Sequence, residues 1–398
     1  MNPTLGLPFP RKSISFEWKI SGFSRYFLCY NRVKDGLHVN DRYKKYKLGV
    51  GELGILSGVS DFFGLDIGTT AVRVVQLKGS GPIKALDRYG QLDMPGTTAL
   101  SDAKADQQKV INAVHDLVKS VGLASKNVAV NLPSHRVFTT VVDLDKMGPD
   151  ELAKAIRYQA DSFIPTPYAK SKMDWAIIGD SPKDPKKMEV LLTSVPLEFV
   201  ENRLAMLEAI GLNVLAFEPD GMALSRAIVP ADSAASQMVL DIGSNATDLV
   251  ITKGAVPHLT RAIPTGTQAL IRSAMNNLSI DQSQAEQFVF KFGLGKDKLD
   301  GQIYNAIIST VDNLMSEIEK SIKYFTGRYP GAQLERIIVT GGASALPELP
   351  LYIANRFGLN VEIGNAWRNV SYPADRQNEL LAVSNHFAVA AGLAERST

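Results

Sequence analysis

The chain has 398 residues, 45% of them apolar and 21% charged, enough to bury a large core and build roughly two to four domains, which excludes a disordered protein and a staple-dependent scaffold. Its net charge of +2 is unevenly spread: residues 1–52 hold ten Lys or Arg against four Asp or Glu, while residues 53–398 carry 33 basic and 37 acidic groups, so the main body lacks the basic excess of a nucleic-acid binder. The single cysteine, Cys29, excludes an internal disulfide framework and multi-cysteine zinc sites, and no run approaches the ~18 consecutive apolar residues of a membrane-spanning helix.

In chain order, the leader mixes aromatics (Phe16, Trp18, Tyr26, Phe27) with basic residues and shows no helical or strand period. It reads either as a flexible basic arm for acidic lipid headgroups or a partner, or as an extension foreign to the folded unit; the second reading is favoured. From Phe62 the pattern turns regular. Strands at 62–67 and 71–77 around Gly68-Thr69-Thr70 form a hairpin, and a helix at 106–121 and a strand at 127–132 follow. A small α/β unit comes next, with strands at 137–143, 175–178 and 190–194 and helices at 149–163 and 197–210. After a strand at 213–218, the segment 238–251 repeats the opening hairpin: Leu65-Asp66-Ile67-Gly68-Thr69 aligns on Leu240-Asp241-Ile242-Gly243-Ser244, a domain-scale repeat with an offset of 175 residues. Helices at 266–277, 281–292 and 302–326, a buried strand at 336–340, and helices at 348–357 and 379–394 complete the chain.

Each Asp-Ile-Gly hairpin places a carboxylate at the end of a buried strand, before a turn whose N–H groups and hydroxyls point the same way. That suits a phosphate: glycine allows close approach, Thr69, Thr70, Ser244, Asn245 and Thr247 add donors, and Asp66 and Asp241 can hold a magnesium ion through its waters. A lone hairpin is as readily an ordinary strand-turn-strand whose aspartate satisfies local N–H groups; the recurrence favours the phosphate reading. A third element, Ile338-Val339-Thr340-Gly341-Gly342-Ala343-Ser344, lets backbone pass close to a flat ligand such as adenosine. Glu317 and Lys320, at i and i+3, stand where they could reach ribose or base, or form a solvated ion pair. No G-x-x-x-x-G-K-[ST] loop, no G-x-G-x-x-G after a first strand and no G-x-S-x-G elbow occurs, which disfavours P-loop ATPases, Rossmann dehydrogenases and serine hydrolases.

The three segments around Asp66, Asp241 and Gly341 resemble the phosphate 1, phosphate 2 and adenosine motifs of the actin, heat-shock chaperone and sugar-kinase superfamily. Within it the chain is similar to the PilM family of type IV pilus assembly proteins, on Ala153-Lys154-Ala155-Ile156-Arg157-Tyr158-Gln159-Ala160-Asp161-Ser162-Phe163-Ile164-Pro165, on Ser316-Glu317-Ile318-Glu319-Lys320-Ser321-Ile322-Lys323-Tyr324-Phe325, and on the closing Phe387-Ala388-Val389-Ala390-Ala391-Gly392-Leu393. The resemblance implies an α/β, actin-like duplicated fold: two halves around a nucleotide cleft, with an inserted domain of the 1C type. It places domain 1A at 53–136 and 217–236, the insert at 137–216, domain 2A at 237–270 and 331–377, domain 2B at 271–330, and a C-terminal helix at 378–398 packing back on 1A.

It further implies a cytoplasmic protein, peripheral to the inner membrane through its partners, that binds ATP and Mg. Such a protein docks the N-terminal cytoplasmic tail of a PilN-like protein between 1A and the insert, and so links the pilus motor ATPase to the envelope-spanning complex of a pilus or a related type II secretion system. Self-association is left open, and slow hydrolysis at best is expected, since no residue offers itself as a base for water. Two alternatives share the superfamily. An FtsA-like division protein would carry a basic amphipathic tail, which Glu395-Arg396-Ser397-Thr398 does not show. A small-molecule kinase would need an acidic base after the first phosphate motif, where Asp87 and Asp93 read as surface carboxylates.

Overall fold

The structure, a computed structural model, describes residues 61–79, 81, 83–94 and 98–396; both readings of the leader concern residues outside them. The first half opens with β1 (Phe63–Ile67), β2 (Ala71–Lys78) and β3 (Lys84–Asp93), followed by α1 (Lys104–Val121) and β4 (Asn127–Leu132). Helix α1 buries Val110, Val114 and Leu117, one stripe at helical spacing, and stops at Gly122, whose left-handed backbone lets its N–H bond the last carbonyls. The chain then builds β5 (Phe138–Asp145), α2 (Pro149–Phe163), β6 (Ser171–Asp180) and β7 (Lys187–Pro196), before α3 (Leu197–Ala209) and β8 (Asn213–Pro219). Helix α2 starts on Pro149, with Asp150 and Glu151 in its first turn complementing the helix dipole.

Helix α4 (Asp220–Ile228) leads into the second half: β9 (Ser236–Ile242), β10 (Thr247–Lys253), β11 (Val256–Ile263), α5 (Thr267–Leu278), α6 (Gln282–Phe292), α7 (Gln302–Arg328), β12 (Leu334–Thr340), α8 (Leu349–Phe357) and β13 (Asn360–Ile363). The last elements are β14 (Val370–Ser371), α9 (Gln377–Val383) and α10 (Ala388–Ala394).

The duplication seen in sequence extends to topology. One sheet runs β14-β3-β2-β1-β4-β8 and the other β11-β10-β9-β12-β13. In both, a three-stranded antiparallel meander continues through its first strand into two parallel strands. Setting aside the two-residue β14, the sheets have the same strand order and directions. A separate three-stranded antiparallel sheet, β5-β7-β6, packs α2 through Leu152 and Ile156 against Val190 and Leu192.

Helices α4 and α10 lie between the halves and fill a core shared by both sheets, with Ala223, Leu224, Ala390 and Leu393 packed among Val75, Val239 and Ile338. Their approach is so close that a Cβ on Gly392 would stand 1.9 Å from the Ala223 carbonyl oxygen, which explains the small-residue run at the C-terminal end.

The structure adds elements that the periodicity did not disclose. Helix α4 is only nine residues long and is buried over eight of them, too short a stretch for a helical period to stand out. Strand β3 is half exposed and carries few apolar residues, β11 contains Pro257, and β13 and β14 are too short to show alternation. The helix expected over 379–394 is two helices, because the intervening turn Ser384–His386 brings the Asn385 carbonyl to the Thr340 hydroxyl and the Gly341 N–H.

Candidate functional site

Both repeated hairpins make the same turn. Gly68 N–H donates to the Ala71 carbonyl at 3.0 Å and Gly243 N–H to the Ala246 carbonyl at 3.0 Å, closing each loop just beyond its aspartate. Register completes the correspondence: Asp66 pairs across the hairpin with Arg73, and Asp241 with Asp248, again 175 residues apart. The second loop is strapped from behind by the start of α5, whose Thr267 and Gln268 N–H groups donate to the Gly243 and Ser244 carbonyls. At the end of β12, Gly341 has φ 82, and a Cβ there would lie 2.2 Å from Asp241 Oδ1. Glycine is needed at this position for both its conformation and its space.

These turns face each other at the carboxyl ends of β1, β9 and β12, where open α/β sheets bind ligands, across a cleft of about 540 Å³. Two more carboxylates reach into it. Asp220, at the start of α4, accepts from Asn131 Nδ2 at 3.0 Å and from the Ser134 N–H at 3.3 Å, and Asn131 Oδ1 in turn accepts from the Ile67 N–H. Asp248 projects from β10 and accepts a hydrogen bond from the Ser134 side chain.

Burial drives the carboxyl pKa values upward, and mutual repulsion adds to it. Asp241 is raised to about 7, by burial first and then by Asp66. Asp248 rises to about 8, by burial and then Asp241. Asp220 is pushed well above the ordinary carboxylate range by burial, Asp248 and Asp66. Burial also raises Asp66, while Arg73, its guanidinium 3.6 Å away, pulls the other way. The centre of the cleft is thus a site short of positive charge. Arg73 alone does not balance four carboxyl groups, and protons supply the rest.

Of the residues singled out by sequence, Asp66, Gly68, Thr69, Thr70, Asp241, Gly243, Ser244, Asn245, Gly341 and Gly342 line this cleft. Four others stand elsewhere. Thr247 is fully buried and donates to the Thr265 carbonyl, and Ala343 is packed in the core of the second half. Glu317 and Lys320 pair with each other on α7, and Glu317 also takes Arg261 at 3.2 Å. An ion pair, one of the two alternatives the sequence left open, is present, and neither residue lines the cleft. Asp87 is held by Lys78 at the surface, whereas Asp93 stands at the cleft mouth.

Sequence reasoning missed Arg73, Asn131, Asp220 and Asp248. Carrying the 175-residue offset seven positions past each aspartate finds Arg73 and Asp248, while Asp220 is signalled by its place directly after a strand ending in Pro219.

Two sheets of identical order, a shared helical layer and a cleft between paired turns define an actin-like fold. The family model described as "Type IV pilus assembly protein PilM" matches residues 64–398, and the chain belongs to that family. Among solved structures it is similar to a chain of a "PilM-PilN type IV pilus biogenesis complex" at 23% identity and a TM-score of 0.71, covering 84% of this chain and 97% of that one. It also resembles MreB5 of Spiroplasma citri bound to ADP, at 12% identity and a TM-score of 0.50, over 83% of this chain and 94% of that one. No helix among the described residues is long and apolar enough to cross a membrane.

Proposed function

We propose that the chain is an ATP-binding adaptor of the inner-membrane assembly complex of a type IV pilus or a related type II secretion system. On this reading it closes its cleft on MgATP and docks the short N-terminal cytoplasmic tail of a PilN-like protein beside the β5-β7-β6 unit, which keeps it peripheral to the inner membrane. The observation that carries the nucleotide part is the pair of matching glycine turns, each behind an aspartate, on opposite walls of one cleft.

The cleft volume falls in the usual range for small-molecule sites. The N–H groups and hydroxyls of 68–70 and 243–245 suit phosphate oxygens, Arg73 adds a cation, and the close backbone at Gly341-Gly342 suits a flat nucleoside. Magnesium fits the carboxylate-rich centre. A magnesium ion commonly keeps most of its waters and takes phosphate oxygens as ligands. Asp66 and Asp241 would hold it through those waters. The bound ion would neutralise developing and resting phosphate charge.

The support for the partner is family membership together with the likeness to a PilM chain solved with PilN. The nucleotide serves as a structural or switching ligand, and the tail reads the resulting arrangement of the halves through its difference in affinity. Calorimetric titration of the full chain with MgATP, and with the N-terminal peptide of a PilN-like protein from the same organism, tests both parts. Saturable binding of each is expected, with Asp66→Ala and Asp241→Ala each losing about tenfold or more in nucleotide affinity, roughly the worth of one charge-assisted contact. Unchanged affinity in variants that remain folded overturns the two-turn grip, and no peptide binding in either nucleotide state overturns the adaptor.

A further inference from the structure

Strands β5 and β7 place two carboxylates side by side: Asp143 and Glu189 are direct cross-strand partners. Like charges in that position destabilise a sheet. Here a guanidinium from the other half of the molecule meets both. Arg328, the last residue of α7, lies 3.0 Å from Asp143 Oδ1 and 2.8 Å from Glu189 Oε1 through Nη2, and its Nε also donates to Glu189 at 2.9 Å. The Tyr329 hydroxyl donates to the same Glu189 oxygen at 2.9 Å, and its ring packs edge-on against His258 of β11. Glu189 is 1% exposed and Arg328 10%, so solvent and salt screen this pairing far less than an ordinary surface bridge.

A second attachment lies at the opposite end of β5. The turn that feeds this strand carries Ser134, whose side chain bonds Asp248 of the second half and whose N–H bonds Asp220 on the cleft floor. From Phe138 to Asp143 the strand runs about 17 Å, so β5 is a lever joined to the second half at the cleft, against β11 and at Arg328. Between these ends, Leu191 and Val141 rest on Met222 of α4. The halves cannot separate by hinge motion without either extracting Arg328 from its two carboxylates or carrying the three-stranded unit along.

We propose that Arg328, gripped by Asp143 and Glu189, is a latch that holds the cleft closed and sets the rate of nucleotide exchange. The exchange-rate part rests on the nucleotide-binding reading, whereas the latch itself does not. The device turns the three-stranded unit into a strap across the two halves, so a ligand that shifts β5 against β7 reaches the cleft by disturbing the Arg328 contact.

The test uses the full chain with Cys29→Ser and two exposed positions spin-labelled, Lys154 on α2 and Gln282 on α6. In the parent the latch gives one narrow distance distribution by pulsed electron resonance. Arg328→Met is expected to broaden it and to speed dissociation of a fluorescent ATP analogue with magnesium by tenfold or more. Where Arg328→Met alone does not fold, Asp143→Asn with Glu189→Gln removes both charges from the sheet together and is expected to give the same two changes.

An unaltered distance distribution in folded variants overturns the latch. A broadened distribution with unaltered dissociation overturns its control of exchange. If the parent binds no nucleotide, the nucleotide reading falls and the distance measurement alone decides the latch.

Discussion

Arg73 and Asp248 occupy the same place in the two repeated hairpins, each directly across from its own aspartate, yet one is a guanidinium and the other a carboxyl group. The duplicated scaffold therefore gives Asp66 a cation and Asp241 a second carboxyl group. This asymmetry divides the cleft into a wall that carries a cation and a wall whose carboxyl groups are balanced by protons.

A proton linkage follows from it. The folded-state values of Asp241, about 7, and Asp248, about 8, lie above the unfolded value of about 4. The folded protein thus holds protons that the unfolded chain has released, so their contribution to stability is complete below pH ~4 and is lost as pH rises through 7 and 8. The ligand-free protein is expected to melt at progressively lower temperature between pH 5 and 8, and Asp241→Asn is expected to flatten that slope. Magnesium held beside Asp241 is expected to displace the proton it carries, so binding of Mg-nucleotide at pH 7 should release protons. Titration in two buffers of different ionisation enthalpy measures this directly; identical apparent enthalpies would remove the linkage.

Gly341 makes the second aspartate sensitive to a single methyl group. Alanine at this position must adopt φ 82 and would place its Cβ 2.2 Å from Asp241 Oδ1 and 2.6 Å from the Ile242 carbonyl oxygen. Neither the strand end nor the buried carboxylate can withdraw without breaking the turn. Gly341→Ala should lower stability by about 2–3 kcal/mol and lower MgATP affinity at least as much as Asp241→Ala. Gly342→Ala is the control, since its nearest neighbour is the His386 ring at 3.7 Å; it should cost under about 1 kcal/mol.

The sequence made the paired hairpins legible because turn chemistry and strand pattern are local, and because recurrence at a fixed offset is improbable without duplication. It made the walls of the cleft legible for the same reason: Asp66 and Asp241 sit near strand ends, and Gly68, Gly243 and Gly341 lie in the turns that follow strands. What local pattern could not show was anything defined by tertiary burial. Helix α4 is only nine residues long and eight of them are buried, so a short segment with no solvated face is hard to read as a helix, and Asp220 at its start is passed over as a site residue. Glu317 and Lys320 have the correct spacing for a shared face, but which way that face points is set by the packing of Leu314, Ile318 and Phe325 of α7 in the second-half core. Arg328 and Glu189 are brought together only by the packing of one half against a unit inserted in the other.

Glu218 anchors the C-terminal end of the chain to the junction of the halves. The carboxylate is 1% exposed and lies between two guanidiniums, Arg226 and Arg396, the latter at 2.9 Å. Arg226 also donates to the Gly392 carbonyl, tying α4 to α10. Burial alone would raise the Glu218 pKa, but the two cations outweigh it and hold it below the usual range. Its contribution to stability is therefore present above the ordinary glutamate pKa and is lost as pH falls through the depressed folded value. Glu218→Ala leaves two guanidiniums without their common partner and should cost about 3–5 kcal/mol at pH 7. Urea unfolding at pH 7 and at pH 3 checks the sign: the gap between variant and parent should narrow in acid, where the parent begins to lose the same interaction, and a gap that widens would contradict the assignment. Gly392→Ala attacks the same junction without touching charge, since its Cβ would meet the Ala223 backbone, and its cost of about 3 kcal/mol or more should stay constant over the same pH range.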